Sequence, residues 1–248
     1  MAANLSASLG YVLCASPRSG STLLCDLLTQ TGVAGVPASY FRPASIAGFA
    51  RRWDVDENGD RWGRRYADAV RAHGTGGTGC FGLRMMWTDM PVLLARLGTL
   101  HPGASTDRER LRLAFGVDRF VHLERGDRVA QAVSLVIAAQ TGLWHRNADG
   151  SERQRTGSPQ PPRYDHTAIA SALRLLDEET SGWTTWFEST GVTPVTITYE
   201  QLSRDPAREL QRVVGHLRRT SPAPAVPGTA KLAGSQNEEW TTRFRAER

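Results

Sequence analysis

The sequence predicts an α/β fold: a three-layer sandwich, with a central parallel sheet flanked by helices and a P-loop-like turn after its first strand. Three observations carry this. Short apolar runs alternate with helix-length segments, the pattern of repeated βα units. Two of those runs, Tyr11-Val12-Leu13-Cys14-Ala15 and Phe120-Val121-His122-Leu123, are nearly continuous in apolar character, as in strands buried on both faces. Between the first run and Leu23, Leu24, Leu27 and Leu28, which share one helical face, stands Ser16-Pro17-Arg18-Ser19-Gly20-Ser21-Thr22. That reads as strand, tight turn, helix.

The elements follow in order. Residues 1–9 read as a short tail, about 10–16 as the first strand and about 20–31 as the first helix. Gly32 to Pro37 reads as a brief second strand leaving a glycine C-cap. Ala38 to Pro43 is a loop, and helical patterns follow over about 44–53 and 60–72. Gly74 to Gly79 is a glycine-rich loop. Cys80 to Trp87 reads as a strand and turn, and Pro91 sits well at the start of a helix to about Gly98. Residues 100–109 read as a loop. After the Phe120–Leu123 strand, Glu124-Arg125-Gly126-Asp127 leads into a helix to about Trp144, with Val129, Ala132, Val133, Val136 and Ile137 on one face. Residues 146–163 are polar and rich in Arg, Pro and Ser, a flexible loop or lid. Asp165 can cap a helix over about 166–189, whose Trp183, Trp186 and Phe187 read as core. Val195 to Tyr199 is a strand, Asp205-Pro206 starts a helix to about Leu217, Ser221 to Gly228 is a loop, and a polar helix surrounds Glu238–Phe244.

A chain of 248 residues with 40% hydrophobic content suits one domain spanning 1–248. No 18-residue apolar run predicts a membrane span. The N-terminus lacks a basic region, and Arg18 interrupts the first apolar stretch, so no signal peptide is expected and a cytoplasmic protein is the default. Cys14, Cys25 and Cys80 lack metal-ligand spacing, and the first two read as buried structural thiols. The net charge is +5, and of the 30 basic residues only Lys231 is lysine. The acids are interspersed and no basic run carries stacking aromatics, so nucleic acid is not the expected partner. A small anionic molecule accounts for the balance as well.

The Arg18 turn has the chemistry for such an anion. Unpaired amides gather at a helix N-terminus, and the helix dipole favours negative charge there. Gly20 allows close approach, Ser19, Ser21 and Thr22 add hydroxyls, and Arg18 adds a forked permanent cation. It is not a Walker A loop: the lysine is missing and no Mg²⁺ site follows. An ordinary capped βα turn would show similar hydroxyls. In parallel sheets ligands bind beyond the carboxyl ends of the strands. Arg18 and Arg125 both fall there, which points to a ligand with two separated anionic groups.

Taken together, the blocks of this chain resemble the PAPS-dependent sulfotransferases, most closely the bacterial trehalose 2-sulfotransferase family. The likeness runs in order through Tyr11-Val12-Leu13 to Leu24, Thr31-Gly32-Val33-Ala34-Gly35-x-Pro37-x-x-x-Phe41, and Gly82-x-Arg84-x-Met86-Trp87, where the family usually has Lys for Arg84. It continues with His122-x-x-Arg125-x-Asp127-x-x-x-Gln131-Ala132-x-Ser134, Gln140-Thr141-x-x-Trp144, Trp183-x-x-Trp186-Phe187, Tyr199-x-x-Leu202 and Glu239-Trp240-x-x-Arg243-Phe244. The resemblance implies PAPS as sulfuryl donor and PAP as product, with no metal, and a small-molecule hydroxyl acceptor such as a natural product, phenol or carbohydrate. It implies that Arg18, Ser19, Gly20, Ser21 and Thr22 hold the 5′-phosphosulfate. Arg125 and Ser134 would hold the 3′-phosphate, Gln236 and Trp240 would close over it, and Arg84 would lie beside the transferred group. A homodimer is also implied.

One position departs. The family places its catalytic Glu just before the aromatic pair, and the matching residue here is Ser39, before Tyr40-Phe41; an earlier family Glu is Val36. A serine is a poor base without a helper. Three explanations stand: another base among His101, His145 and Asp89; an acidic acceptor hydroxyl that needs less help; or a chain that binds PAPS or PAP and transfers poorly. His122 reads as a core histidine, and Glu124 as a residue that positions Arg125. A P-loop kinase is the remaining alternative.

Overall fold

The computed structural model of the chain describes residues 9–55, 62–147, 149–220 and 234–247. The elements are β1 (Leu9–Ala15), α1 (Ser21–Gln30), α2 (Pro43–Arg52), α3 (Trp62–Thr75), β2 (Cys80–Met86), a 3₁₀ turn (Trp87–Asp89), α4 (Met90–Leu100), α5 (Asp107–Phe115), β3 (Val117–Glu124) and α6 (Arg128–Thr141). They continue with β4 (Leu143–Arg146), β5 (Glu152–Arg155), α7 (His166–Thr190), β6 (Val195–Thr198), α8 (Tyr199–Arg204), α9 (Pro206–His216) and α10 (Ser235–Ala246). Among the described residues, four strands form a parallel sheet in the order β2-β1-β3-β6, and β4 and β5 form a separate antiparallel hairpin. This is the expected α/β sandwich.

The apolar run of β1 explains the layering. Strand side chains alternate between faces. Val12 and Cys14 join Phe81, Leu83, Phe120 and the aromatic residues Trp183, Trp186 and Phe187 in one core. Tyr11, Leu13 and Ala15 join Leu24, Leu27 and Leu28 of α1 and Leu210, Val213 and Val214 of α9 in the other. A third cluster packs α6, α7 and α10 together through Val133, Ile169, Leu176, Trp240 and Phe244. Cys14, Cys25 and Cys80 are free and buried.

Five local expectations are corrected. Gly32–Pro37 is not a strand; Gly32 and Gly35 take φ of 66° and 69°, and only an isolated bridge, Ala38 to Leu83, follows. A Cβ on Gly35 would lie 2.3 Å from the Cys80 carbonyl oxygen, so the chain crosses close over the start of β2 instead of pairing along it. The loop expected over 100–109 ends in α5. There the Thr106 hydroxyl accepts from the Glu109 amide while Glu109 accepts from Ser105. The helix expected to reach Trp144 stops at Thr141 because Gly142, at φ 68°, caps it. Tyr199 opens α8 rather than ending a strand, since Thr198 and Gln201 form a capping box. Finally, the segment 146–163 contains β5, which pairs with β4. The expected tail, the first residues of the helix expected over 60–72 and the loop at Ser221–Gly228 fall on or reach into residues outside those described. No described helix is long and apolar enough to cross a membrane.

Candidate active site

The carboxyl ends of β1, β2 and β3 place three arginines together. Ala15 pairs with Met86 and with Leu123; Arg84 stands within β2 opposite Leu13, and Arg18 and Arg125 follow just beyond the ends of β1 and β3. The turn after β1 is braced from all sides. Gln131, fully buried on α6, donates through Nε2 to the Ser16 hydroxyl at 2.9 Å and to the Pro17 carbonyl at 2.7 Å. Trp183 Nε1 donates to the Ala15 carbonyl at 3.2 Å. Arg125 Nη1 donates to the Arg18 carbonyl at 3.2 Å. Arg18 and Gly20 take positive φ, 62° and 87°. A Cβ on Gly20 would lie 2.7 Å from the Tyr199 ring, so that ring lies directly against the turn. Because α1 begins at Ser21, the amides of its first turn have no partner within the helix.

The hydroxyls divide by role. Ser19 is fully buried, and its hydroxyl donates to the Ser16 carbonyl at 2.8 Å, so it closes the turn instead of facing a ligand. Thr22 is half-buried between Arg84 and His145. Its Oγ1 accepts from Arg84 Nη1 at 2.9 Å and lies 3.2 Å from His145 Nε2. Arg84 also donates through Nε to the Ser39 hydroxyl at 2.9 Å. Arg18 reaches the other way, donating through Nε to the Ser134 hydroxyl at 3.1 Å and through Nη1 to the Trp144 carbonyl at 2.6 Å.

The electrostatics of the turn are dominated by buried cations. Burial and the neighbouring Arg125 charge push the Arg18 guanidinium down to about 10. Burial also lowers Arg125, opposed by Tyr199, Glu200 and Asp127. The Arg125 guanidinium lies 4.6 Å from the Tyr199 ring centroid, and its buried Nε has no hydrogen-bond partner among the described residues. A buried cationic N–H without an acceptor is costly, so an incoming anion is the natural partner. His145 is pushed down to about 3, by burial first and then by Arg18, Arg84, Arg153 and Arg42. Asp89 is pushed up to about 6, by burial first, with Glu179 adding to the rise and Arg42 and Arg84 opposing it.

Beside the turn lies a cavity of about 670 Å³, bordered by Arg18, Ser134, Arg146, Arg155, Gln236 and Asn237 among others. Ser134 and Gln236 are thus placed together, but Trp240 is not with them. It is 4% exposed in the α6–α7–α10 core, edge-on to Tyr164. Asn237, one turn earlier on the same helix, borders the cavity in its stead. Of the possible bases, His101 caps the C-terminus of α4 and lies about 16 Å of helix away from the strand ends. His145 and Asp89 are both near Arg84. His122 is 6% exposed and edge-on to Phe187, a core residue as expected. The bracing roles of Gln131 and Tyr199, and the cavity positions of Arg146, Arg155 and Asn237, carry no local signal in the sequence. Only the Gln131 and Tyr199 positions stood out, as part of a family pattern.

Fold and site together define a P-loop-like α/β protein with Arg18, Arg84 and Arg125 gathered around the turn after its first strand. Comparison with known proteins makes this specific. The Stf0 sulphotransferase family model matches residues 10–247. The trehalose 2-sulfotransferase of Mycobacterium tuberculosis (strain Erdman) is 30% identical over 264 residues, covering 96% of this chain and 94% of that one. The trehalose 2-sulfotransferase of Mycolicibacterium smegmatis is 28% identical over 261 residues, with 95% and 94% covered. A solved sulfotransferase from Alicyclobacillus acidocaldarius aligns over 96% of this chain and 91% of that one, with a TM-score of 0.49 and 13% identity. The chain belongs to the Stf0 sulphotransferase family, and its reaction is sulfuryl transfer.

Proposed function

We propose that the donor is PAPS and that its two anionic ends are held by the two arginine-bearing strand ends. The observation that carries this is the coupling of Arg18 and Arg125. One guanidinium touches Ser134 and borders the cavity; the other donates to the Arg18 carbonyl and keeps one buried N–H without an acceptor among the described residues. A ligand with separated phosphate and phosphosulfate groups fits two such sites, and the cavity between α6, the hairpin and α10 is roomy enough for a nucleoside.

When bound, the donor supplies an activated sulfuryl group on its 5′-phosphate. The chain supplies fixed charge and hydrogen bonds. The first-turn amides of α1, Thr22 and Arg18 hold the 5′ end. Arg84 lies where negative charge grows on the leaving oxygen, and preorganised donors there stabilise the transition state. Arg125 and Ser134 take the 3′-phosphate, with Gln236 and Asn237 at the rim. Ser19 serves by closing the turn, and Trp240 by packing α10. Ser39 stands at the family's base position, but its oxygen accepts from Arg84, which draws electron density away from a base. That contact also supports a second reading, a chain that binds PAP and turns over slowly.

The relatives are named for trehalose, so a carbohydrate hydroxyl is the first acceptor to test. Transfer of ³⁵S from labelled PAPS to trehalose, glucose and 4-nitrophenol separates sugar from phenol. Arg125→Ala is expected to weaken PAPS binding at least a hundredfold, from loss of a charge-assisted phosphate contact. Transfer with an unchanged PAPS dependence in that variant would contradict the assignment.

A further inference from the structure

We propose that His145 is the group that takes the proton from the acceptor hydroxyl; this rests on the reading of the Thr22–Arg84 corner as the transfer site. Arg84 can only donate, and it donates to Thr22 Oγ1 at 2.9 Å, while His145 Nε2 lies 3.2 Å from the same oxygen, close enough to accept the hydroxyl's proton. With the imidazole proton on Nδ1, Nε2 is the accepting nitrogen at this corner, and a substrate hydroxyl that replaces Thr22 as its donor gives it a proton. A general base needs that geometry: an unprotonated nitrogen within hydrogen-bond reach of the reacting group. The family's base position, Ser39, cannot fill the role while its oxygen is held by Arg84.

The hairpin that carries His145 is fixed to the site at several points. Arg18 donates to the Trp144 carbonyl, next to His145. Arg153 of β5 forms a bidentate pair with Asp26 of α1. Arg155 donates to the Thr141 carbonyl at the end of α6. The charges acting on His145 come from four elements or their flanks: Arg18 after β1, Arg84 on β2, Arg42 before α2 and Arg153 on β5, whose own partner is Asp26 of α1. Four cations and burial keep the free imidazole neutral. A bound phosphosulfate offsets those cations and raises its basicity, so the base becomes effective when the donor is present.

The step balances without a further reactant. The acceptor oxygen forms a bond to sulfur as the bond from sulfur to the leaving phosphate oxygen breaks and its electron pair stays on PAP. The hydroxyl proton passes to His145 Nε2. The imidazolium, restored to a ring of arginines when PAP leaves, releases that proton to water.

The test has a binding arm and a turnover arm. In NMR of histidine-labelled protein, the His145 resonance, assigned with His145→Gln, should show no titration between pH 5 and 8 in the free protein. With saturating PAP its pKa should rise at least tenfold in proton affinity. No rise on PAP binding would overturn the proposal, whether or not turnover is measurable. In the turnover arm, His145→Gln should bind PAP within threefold of wild type while PAP release from PAPS, with trehalose or water as acceptor, falls about a hundredfold or more. Loss of PAP binding in step with turnover would make His145 an anion ligand and overturn its role as base. So would unchanged turnover, or a loss on Asp89→Asn that His145→Gln does not share. Failure of wild-type protein to bind PAP at all would instead overturn the donor assignment.

Discussion

Asp89 shows how one residue's setting can be weighed against its chemistry. Its carboxyl is 8% exposed, and burial lifts it to about 6. The folded pKa lies above the unfolded one, so the folded state binds more protons between about pH 3.8 and 6, and stability falls as pH rises through that window. Above pH 6 the full cost of the buried carboxylate is present. Asp89→Asn is therefore expected to gain about 1 kcal/mol or more at pH 7.5, a rise in Tm of about 2–4 °C or more for a chain of this length, and no gain below pH 4. Thermal melts of both proteins across that range check it; a gain independent of pH would show that the carboxyl is not the source. The residues of the Arg18 turn were legible because their chemistry is local: consecutive hydroxyls, a glycine and an arginine between a strand and a helix. His145 was legible only as one of three possibilities, because its partner Thr22 lies 123 positions away. The engagement of Ser19 with Ser16 and of Trp240 with the core was equally hidden, since sequence gives a residue's capacity and not which partner uses it.

At the scale of elements, α7 shows what decides legibility. Asp165 caps it, Gly191 ends it, and its apolar stripe is long, so its extent could be read closely. Its contact with the 3₁₀ turn could not. Gly182 lies under Trp87, and a Cβ there would sit 2.2 Å from the indole nitrogen. Fully buried Glu179, one turn earlier, accepts from the Trp87 and Thr88 amides at 2.6 and 3.2 Å. In an exposed helix Gly→Ala gains roughly 1 kcal/mol. Here Gly182→Ala is expected to lose about 1–3 kcal/mol through overpacking, read as a lower Tm, and an increase would contradict the packing described. The short or polar elements were the ones missed. α5 is a charged helix whose clearest signal is its Thr106–Glu109 capping pair, and β5, Glu-Arg-Gln-Arg, has no apolar alternation at all. It is a strand because β4 pairs with it and Asp26 anchors it.

For the whole molecule, a parallel sheet fixes where function can sit. Every residue assigned here to the anion lies at the carboxyl end of β1, β2 or β3 or on a helix beginning or passing there, and His101 at the opposite end does not. The α/β class and the strand-end location could be read from alternating patterns; the order β2-β1-β3-β6 and the docking of the hairpin over the turn could not, because both depend on contacts between distant segments. The central claim is that two arginine-bearing strand ends hold the two anionic ends of one donor. The most direct measurement is the thermal shift of the full chain with PAP, against 5′-AMP and Mg-ATP. PAP at about 100 times its dissociation constant should stabilise the protein by about 2.7 kcal/mol, with a much smaller effect of 5′-AMP, which lacks the 3′-phosphate. An equal shift with Mg-ATP, or none with PAP, would contradict the account.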